Sequence, residues 1–287
     1  MMTFREKLFK HVYAQEFSVS RVLYQQETGH HSLIIFENEL FGHVMALDGI
    51  IQTTERDEFI YHETLAHVPL FALGSAESVL VVGGGDGGIL REVVKHREVR
   101  RIVQVEIDSA VIEMSKQYLP NHSAGAFDDP RLEIVIDDGL RFVRQTEERF
   151  DVIISDSTDP EGPGEALFTA EFYQGCHRCL RDGGVLVTQN GVCFLQLEEV
   201  RATAAHLKNY FRDYHFFSAA VPTYVGGIMA FGWATDDAVL RDVSPDVIAE
   251  RYEQSGIKTK YYNPAIHHAS FALPQYVIDA VDGLRNR

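Results

Sequence analysis

The run Ser78-Val79-Leu80-Val81-Val82, followed directly by Gly83-Gly84-Gly85-Asp86-Gly87-Gly88, constrains this chain more than any other stretch. A short, continuously apolar run reads as a strand buried on both faces, and such strands belong to parallel sheets. Parallel neighbours need long crossovers, usually helices, and the residues that follow supply them. A helix is expected through Lys95, a strand over 101–107 and a helix over 109–119. Three further strands are expected at 132–136, 150–155 and 184–189. Runs at 214–221 and 227–235, joined by a short connection around Pro222 and Gly226, read as an antiparallel pair at the sheet edge. Strands alternating with helices imply an α/β protein with a Rossmann-like, doubly wound sheet of the class I methyltransferase kind.

Upstream the pattern is different. Residues 17–24, 32–37, 41–47 and 50–54 are short apolar or alternating runs separated by turn signals at Thr28-Gly29, Asn38 and Asp48-Gly49. Helical spacing takes over at 57–73, with apolar residues at Phe59, Ile60, Leu65, Val68 and Leu70. The expected organisation is a small N-terminal β domain, 1–56, on a Rossmann-like catalytic domain, 57–287.

With 287 residues, 45% of them hydrophobic, the chain can bury one sizeable core. No apolar run approaches the eighteen or so residues of a membrane span, and residues 1–10 hold no apolar signal segment, so a cytoplasmic protein is expected. The formal net charge of −16 argues against nucleic acid as a partner. It suits either solubility or attraction of a cationic substrate. Cys176 and Cys179 fall late in a helix-like run, where a redox pair would open one. With Cys193 they read as structural thiols, and no zinc-type ligand set is visible.

Gly83-x-Gly85-x-x-Gly88 follows a strand and opens a helix, and the next strand ends in Val105-Glu106-Ile107-Asp108, where an acid can bond ribose hydroxyls. Dinucleotide and adenosylmethionine proteins share both features. Asp86 separates them: a carboxylate inside the loop would repel a pyrophosphate by about 4 kcal/mol at 4 Å and an effective dielectric of ~20. It suits a cationic ligand better than its alternative, a helix cap, and one residue can serve both. Asp137-Asp138-Gly139 ends the third strand and reads either as an acceptor for an adenine amino group or as a capping pair. The loop Asp156-Ser157-Thr158-Asp159-Pro160-Glu161-Gly162-Pro163-Gly164 follows the fourth strand, so Glu106, Asp138 and Asp156 stand at successive strand ends. Ligands in such sheets sit at that edge, and a site so negative expects a cation.

These stretches, with Leu47-Asp48-Gly49, Gln52-Thr53-Thr54-Glu55-Arg56-Asp57-Glu58-Phe59, Ile266-His267 and Phe271-Ala272-Leu273-Pro274, give the chain a resemblance to the spermidine synthases over essentially its whole length. The resemblance implies transfer of an aminopropyl group from decarboxylated S-adenosylmethionine to putrescine, giving spermidine and methylthioadenosine. It implies no cofactor, the nucleoside being a co-substrate, and a homodimer or homotetramer. It places Asp86, Glu106, Asp138, Gly139, His62 and Pro163 on the nucleoside. Asp156 becomes the proton acceptor beside Tyr61, and Asp159, Gln189 and Tyr224 line the diamine channel. One position departs from the pattern: His31 stands where the family commonly has Gln in a nucleoside contact.

Other classes remain open on the residues alone. A methyltransferase using intact adenosylmethionine, an aminopropyltransferase preferring cadaverine or spermidine, an NAD-dependent oxidoreductase and a non-catalytic polyamine sensor would each use some of these features. His62 and His67, five residues apart, do not share a helix face and are expected to be structural or nucleoside-facing, with no metal. Trp233 is expected in the core. Tyr261 and Tyr262 fit either packing or a channel wall.

Overall fold

The computed structural model describes residues 2–8, 12–160 and 162–285; Glu161, within the acidic loop, lies outside them. The N-terminal strands are β1 (Met2–Leu8), β2 (Tyr13–Val19), β3 (Arg21–Glu27), β4 (Ser32–Asn38), β5 (Gly42–Leu47) and β6 (Ile50–Thr54). β1 and β2 form an antiparallel hairpin, while β3 to β6 form a four-stranded sheet in chain order. The run expected as one strand over 17–24 is therefore two. It breaks at Ser20 because the chain changes partner there, β2 pairing with β1 and β3 with β4. Nothing in the residues themselves announced β1.

Next come α1 (Glu58–Leu73), β7 (Ser78–Gly83), α2 (Gly88–Val93), β8 (Arg101–Glu106), α3 (Ser109–Tyr118), β9 (Leu132–Ile136), β10 (Phe150–Asp156), β11 (Leu180–Val192), β12 (Asp213–Ala219) and β13 (Met229–Thr235). The seven later strands form one sheet in the order β12-β13-β11-β10-β7-β8-β9. β9, β8, β7, β10 and β11 run parallel, and β13 and β12 add the expected antiparallel edge. The strand begins at Met229 rather than 227, since Gly226 and Gly227 have φ of 117° and 121°, outside strand geometry. The residues between β12 and β13 make a wall of the cavity described below rather than a simple turn.

Period-two alternation explains why β7 is apolar throughout. Val79 and Val81 pack with Ile102, Val152 and Leu65 on one face, while Leu80 and Val82 pack with Val103, Ile153 and Phe172 on the other. Helices thus cover both faces. The four-stranded sheet is buried twice as well. Phe36, Val44 and Ile51 meet Phe17 and Val19 of the hairpin, while Leu33, Ile35, Met45 and Leu47 meet Val111 and Leu119, at and beyond α3. That second contact holds the N-terminal sheet over the carboxyl ends of the parallel strands.

The remaining sequence expectations sort cleanly. Trp233 is fully buried. All three cysteines are buried and free, Cys176 and Cys179 in the core on one sheet face. Tyr262 stacks on Phe71 with centroids 5.3 Å apart, so it is packing. His67 is buried between Glu92 and His96, a structural position.

Candidate active site

Parallel strands end together, so β7, β8 and β10 deliver their last residues to one edge. Asp156 pairs with Gly83 in register, and the Gly84 N–H donates to the Asp156 carbonyl at 3.1 Å. A Cβ on Gly83 would lie 2.0 Å from that carbonyl oxygen, and φ there is +82°, so only glycine fits. At Gly88 a Cβ would strike the His62 ring at 2.2 Å. The glycines thus bring the loop and α1 into contact and make room for a ligand above Gly84 and Gly85. Gln104 of β8 holds this turn from below, donating to the carbonyls of Gly83 and Gly84 at 3.0 and 2.8 Å.

One cavity opens over these ends. His31, His62, Asp86, Glu106, Asp138, Gly139 and Pro163 line one part of it, with Met45 and Leu47 as an apolar wall. Tyr61, Asp156, Asp159, Gln189 and Tyr224 line the other, so the positions singled out from sequence share a single space. Three residues there were not foreseen. Glu6 and Gln15 arrive on the hairpin, bonded to each other, with Glu6 also taking the Ile51 N–H at 2.8 Å. Gln196 donates to Asp159 at 3.0 Å.

The acids of the first part divide by surroundings. Asp86 accepts the Gly88 N–H at 2.8 Å and faces His62 Nε2 at 3.2 Å. It therefore serves both as backbone cap and as cavity wall. Burial alone would raise its pKa, but His62 and the Gly88 N–H hold it well below the usual carboxylate range. Burial alone would likewise lower His62; Asp86 on one side and Glu58 on the other hold it at about 10. The hydrogen bond described to the Glu106 carboxylate comes from a backbone N–H rather than from a cationic side chain. Burial, seconded by the charge of Asp108, pushes Glu106 up to about 7, against the Asp108 N–H at 2.9 Å and the field of His31. Asp138 accepts the Arg141 N–H as N-cap of the helix Gly139–Gln145 while also lining the cavity. His31 is buried, its Nδ1 2.8 Å from Asp48.

Across the cavity, Asp156 accepts the Tyr61 hydroxyl at 2.6 Å. Burial and the charge of Asp86 push it up to about 6, although His62 and the Tyr61 hydroxyl pull the other way. Tyr61 packs edge-on to Tyr224 and Phe231, and burial beside Asp156 raises its hydroxyl well above the ordinary value. Tyr224 donates to the Gln52 carbonyl. Asp57 ties this wall together, accepting from Thr54 Oγ1 at 2.6 Å and from the Thr223 N–H at 2.8 Å. Asp159 accepts from Gln189 at 3.2 Å as well as from Gln196.

His62, Asp86 and Asp156 place ligand atoms within 4.8 Å of one another, close enough for a metal. While both nitrogens of His62 donate to carboxylates, however, the ring offers no lone pair. What the cavity does offer is Glu6, Asp86, Glu106, Asp138, Asp156 and Asp159, and no lysine or arginine among its described lining. That donor set recognises organic cations.

Fold and site together define an α/β transferase built to hold a cationic nucleoside against a second cation. Comparison with known proteins makes this specific. A family profile described as "Spermine/spermidine synthase domain" matches residues 58–243, and one described as "Spermidine synthase tetramerisation domain" matches residues 3–55. Polyamine aminopropyltransferase 1 of Pseudomonas aeruginosa is 59% identical over 281 residues, covering 98% of both chains. The polyamine aminopropyltransferase of Escherichia fergusonii is 60% identical over 269 residues, covering 94% of this chain and 93% of its own. A crystal structure of spermidine synthase in complex with the transition state analogue AdoDATO superposes with a TM-score of 0.93 at 39% identity, covering 98% of this chain and 95% of that one. The spermidine synthase of Thermotoga maritima gives a TM-score of 0.90 at 37% identity, covering 98% and 94%. The chain belongs to the spermine/spermidine synthase family, and its chemistry is aminopropyl transfer.

Proposed function

We propose that this enzyme transfers the aminopropyl group of decarboxylated S-adenosylmethionine to putrescine, forming spermidine and methylthioadenosine. The observation that carries the reading is a cavity lined by six carboxylates and by no described lysine or arginine. Intact adenosylmethionine brings its own carboxylate, which would meet Asp86 unpaired. The decarboxylated donor brings an ammonium and a sulfonium instead.

In this reading Asp86 pairs with the donor's terminal ammonium, Glu106 accepts from the ribose hydroxyls, and Asp138-Gly139, His31, His62 and Pro163 surround the rest of the nucleoside. The acceptor lies along Asp159, Gln189 and Tyr224, with its distal ammonium at Asp159. Its near nitrogen must be neutral to attack, which for an amine of pKa about 10.4 costs roughly 4.6 kcal/mol at pH 7. The nitrogen lone pair forms the new N–C bond to the donor methylene, the C–S bond breaks, and its electron pair neutralises the sulfonium. The surplus proton on nitrogen passes to Asp156. Burial makes Asp156 a stronger base than an ordinary aspartate, and its bond to Tyr61 aims it. Alignment of nitrogen, carbon and sulfur lowers the rest of the barrier.

The reading makes the nucleoside a co-substrate and calls for no cofactor. It takes 1–56 as the assembly domain of a homodimer or homotetramer, supported by the profile that matches residues 3–55, and 57–287 as the catalytic domain. It places the enzyme in the cytoplasm; no described helix is long and apolar enough to cross a membrane. The test is direct: incubate the protein with putrescine and each donor in turn and identify the nucleoside released. Methylthioadenosine is expected with the decarboxylated donor. Adenosylhomocysteine from intact adenosylmethionine would replace the reading with methyl transfer.

A further inference from the structure

Beneath the donor end runs a chain of buried charges, most of which never reach the cavity. Full charges are costly to bury unless each is paired, and here the pairing is complete. Glu58 opens α1, and His62 follows one turn later on the same face. Glu58 Oε2 faces His62 Nδ1 at 2.6 Å and accepts from Arg91 Nη2 at 2.7 Å, while Oε1 accepts from Arg91 Nη1 at 3.0 Å. The arginine fork is immobilised in turn by the carbonyls of Asn121 and His122, at 3.1 and 2.9 Å, and by Glu92 at 2.7 Å. On its far side, His62 Nε2 lies 3.2 Å from Asp86. An imidazole with an ionised carboxylate at each nitrogen donates from both, which only the imidazolium can do.

We infer that Glu58 is a positioning residue: clamped by Arg91, it holds His62 as an imidazolium, and that fixed charge lets Asp86 and Asp156 stay ionised together in one buried cavity. The inference rests on the reading of Asp156 as proton acceptor. Two carboxylates this close in an apolar enclosure otherwise tend to share a proton. The ring of His62 is faced by Glu58 from its own helix and by Asp86 from the glycine loop. Asp156 of β10, Arg91 of α2, His122 of the helix Pro120–Ser123 and the neighbouring Tyr61 complete its charged and titratable surroundings. Burial would raise Glu58, yet His62 and Arg91 hold it at about 2, so the anion is present throughout the working range.

Glu58→Gln tests this, because the amide keeps the shape and can still accept from Nδ1 but carries no charge. Nitrogen-edited NMR of the His62 ring is expected to show both nitrogens protonated at pH 8 in the parent enzyme and one in the variant. A ring that stays doubly protonated in Glu58→Gln overturns the role of Glu58. In kinetics, the acid limb of kcat against pH, measured with donor and acceptor saturating so that Glu106 does not enter, is expected to move up by about one unit in Glu58→Gln. His62→Gln should match that shift, and the double variant should move no further. A double variant whose limb moves by the sum of the two overturns the claim that Glu58 acts through His62. Should Glu58→Gln fail to fold, His62→Gln still decides, since an unmoved limb there overturns the link to Asp156. If the parent enzyme releases no methylthioadenosine, the reaction reading has failed on its own account, and the NMR arm still judges Glu58.

Discussion

Asp86 and Asp156 are the same residue type, stand at neighbouring strand ends and share one cavity, yet their proton affinities are driven in opposite directions. Both are buried, but Asp86 has an imidazolium and a backbone N–H that hold it low, whereas burial and the charge of Asp86 push Asp156 up to about 6 against the pull of His62 and the Tyr61 hydroxyl. The same contrast extends outward. Behind Asp86 the charges are closed off by Glu58 and Arg91. Behind Asp159, Glu199 is pushed up to about 8 by burial and by the charge of Asp159. The donor end is thus a compensated charge, rigid before any ligand arrives. At the other end Asp159 accepts from two side-chain amides and lies near a second carboxyl group, Glu199. The proposed reaction, which holds one cation still and takes a proton from another, would use both kinds.

The sharpest way to break this contrast is at Asp156, the proposed proton acceptor. Asp156→Asn is expected to lower kcat by roughly a thousandfold, while calorimetric binding of methylthioadenosine changes little. Loss of nucleoside binding in step with turnover would merge the two ends into one. Asp86→Asn should do the reverse. It removes the carboxylate proposed to meet the donor ammonium and takes from His62 its partner on that side, and the donor KM is expected to rise about a hundredfold, or ~3 kcal/mol. Discrimination against intact adenosylmethionine should narrow at the same time. A donor KM within a few-fold of the parent value would remove Asp86 from the ammonium.

How much of this could be read in advance follows from range. The parallel sheet was legible because strands such as 78–82 carry their burial in their own composition, and the acids at 86, 106, 138 and 156 stand at fixed offsets from those strands. Tyr61 and His62 were placed through family resemblance rather than spacing. What stayed hidden depends on partners far away along the chain. Glu6 matters through Ile51 and Gln15, and Glu58 through Arg91, 33 residues on. The hairpin β1–β2 pairs with no other strand and packs only as an addition to a sheet. A lone hairpin is marginal in water, so local preference says little about it.

Further along the acceptor end the effects shrink. Asp159 accepts hydrogen bonds from Gln189 and Gln196, while its charge raises the nearby Glu199. Replacing it with Asn therefore removes an ion pair from a site already rich in polar partners. Putrescine KM is expected to rise about tenfold, or ~1.4 kcal/mol, with kcat held within a factor of three. An unchanged KM in initial-rate assays would move the distal ammonium elsewhere, Glu6 being the next carboxylate in the wall.

The smallest effect should come from His31, where this chain departs from the common glutamine. The ring is held by Asp48 at 2.8 Å, and its field lowers Glu106. Glutamine would keep a polar contact to the nucleoside while removing that field. At pH 8.5, where Glu106 is ionised in either protein, His31→Gln should change the donor KM by no more than about threefold, the worth of part of one hydrogen bond. Below pH 7 the two should separate. In the proposed pose Glu106 accepts from both ribose hydroxyls only when ionised, and it sits at about 7 with His31 in place. Without His31 it rises further, so more of it is protonated at pH 6.5 and donor affinity falls. The parent enzyme is expected to gain donor affinity as pH climbs through 7, and the variant to show the same rise displaced upward by a fraction of a unit. Superimposable profiles of donor KM against pH would show that His31 acts on the nucleoside alone and leaves Glu106 untouched.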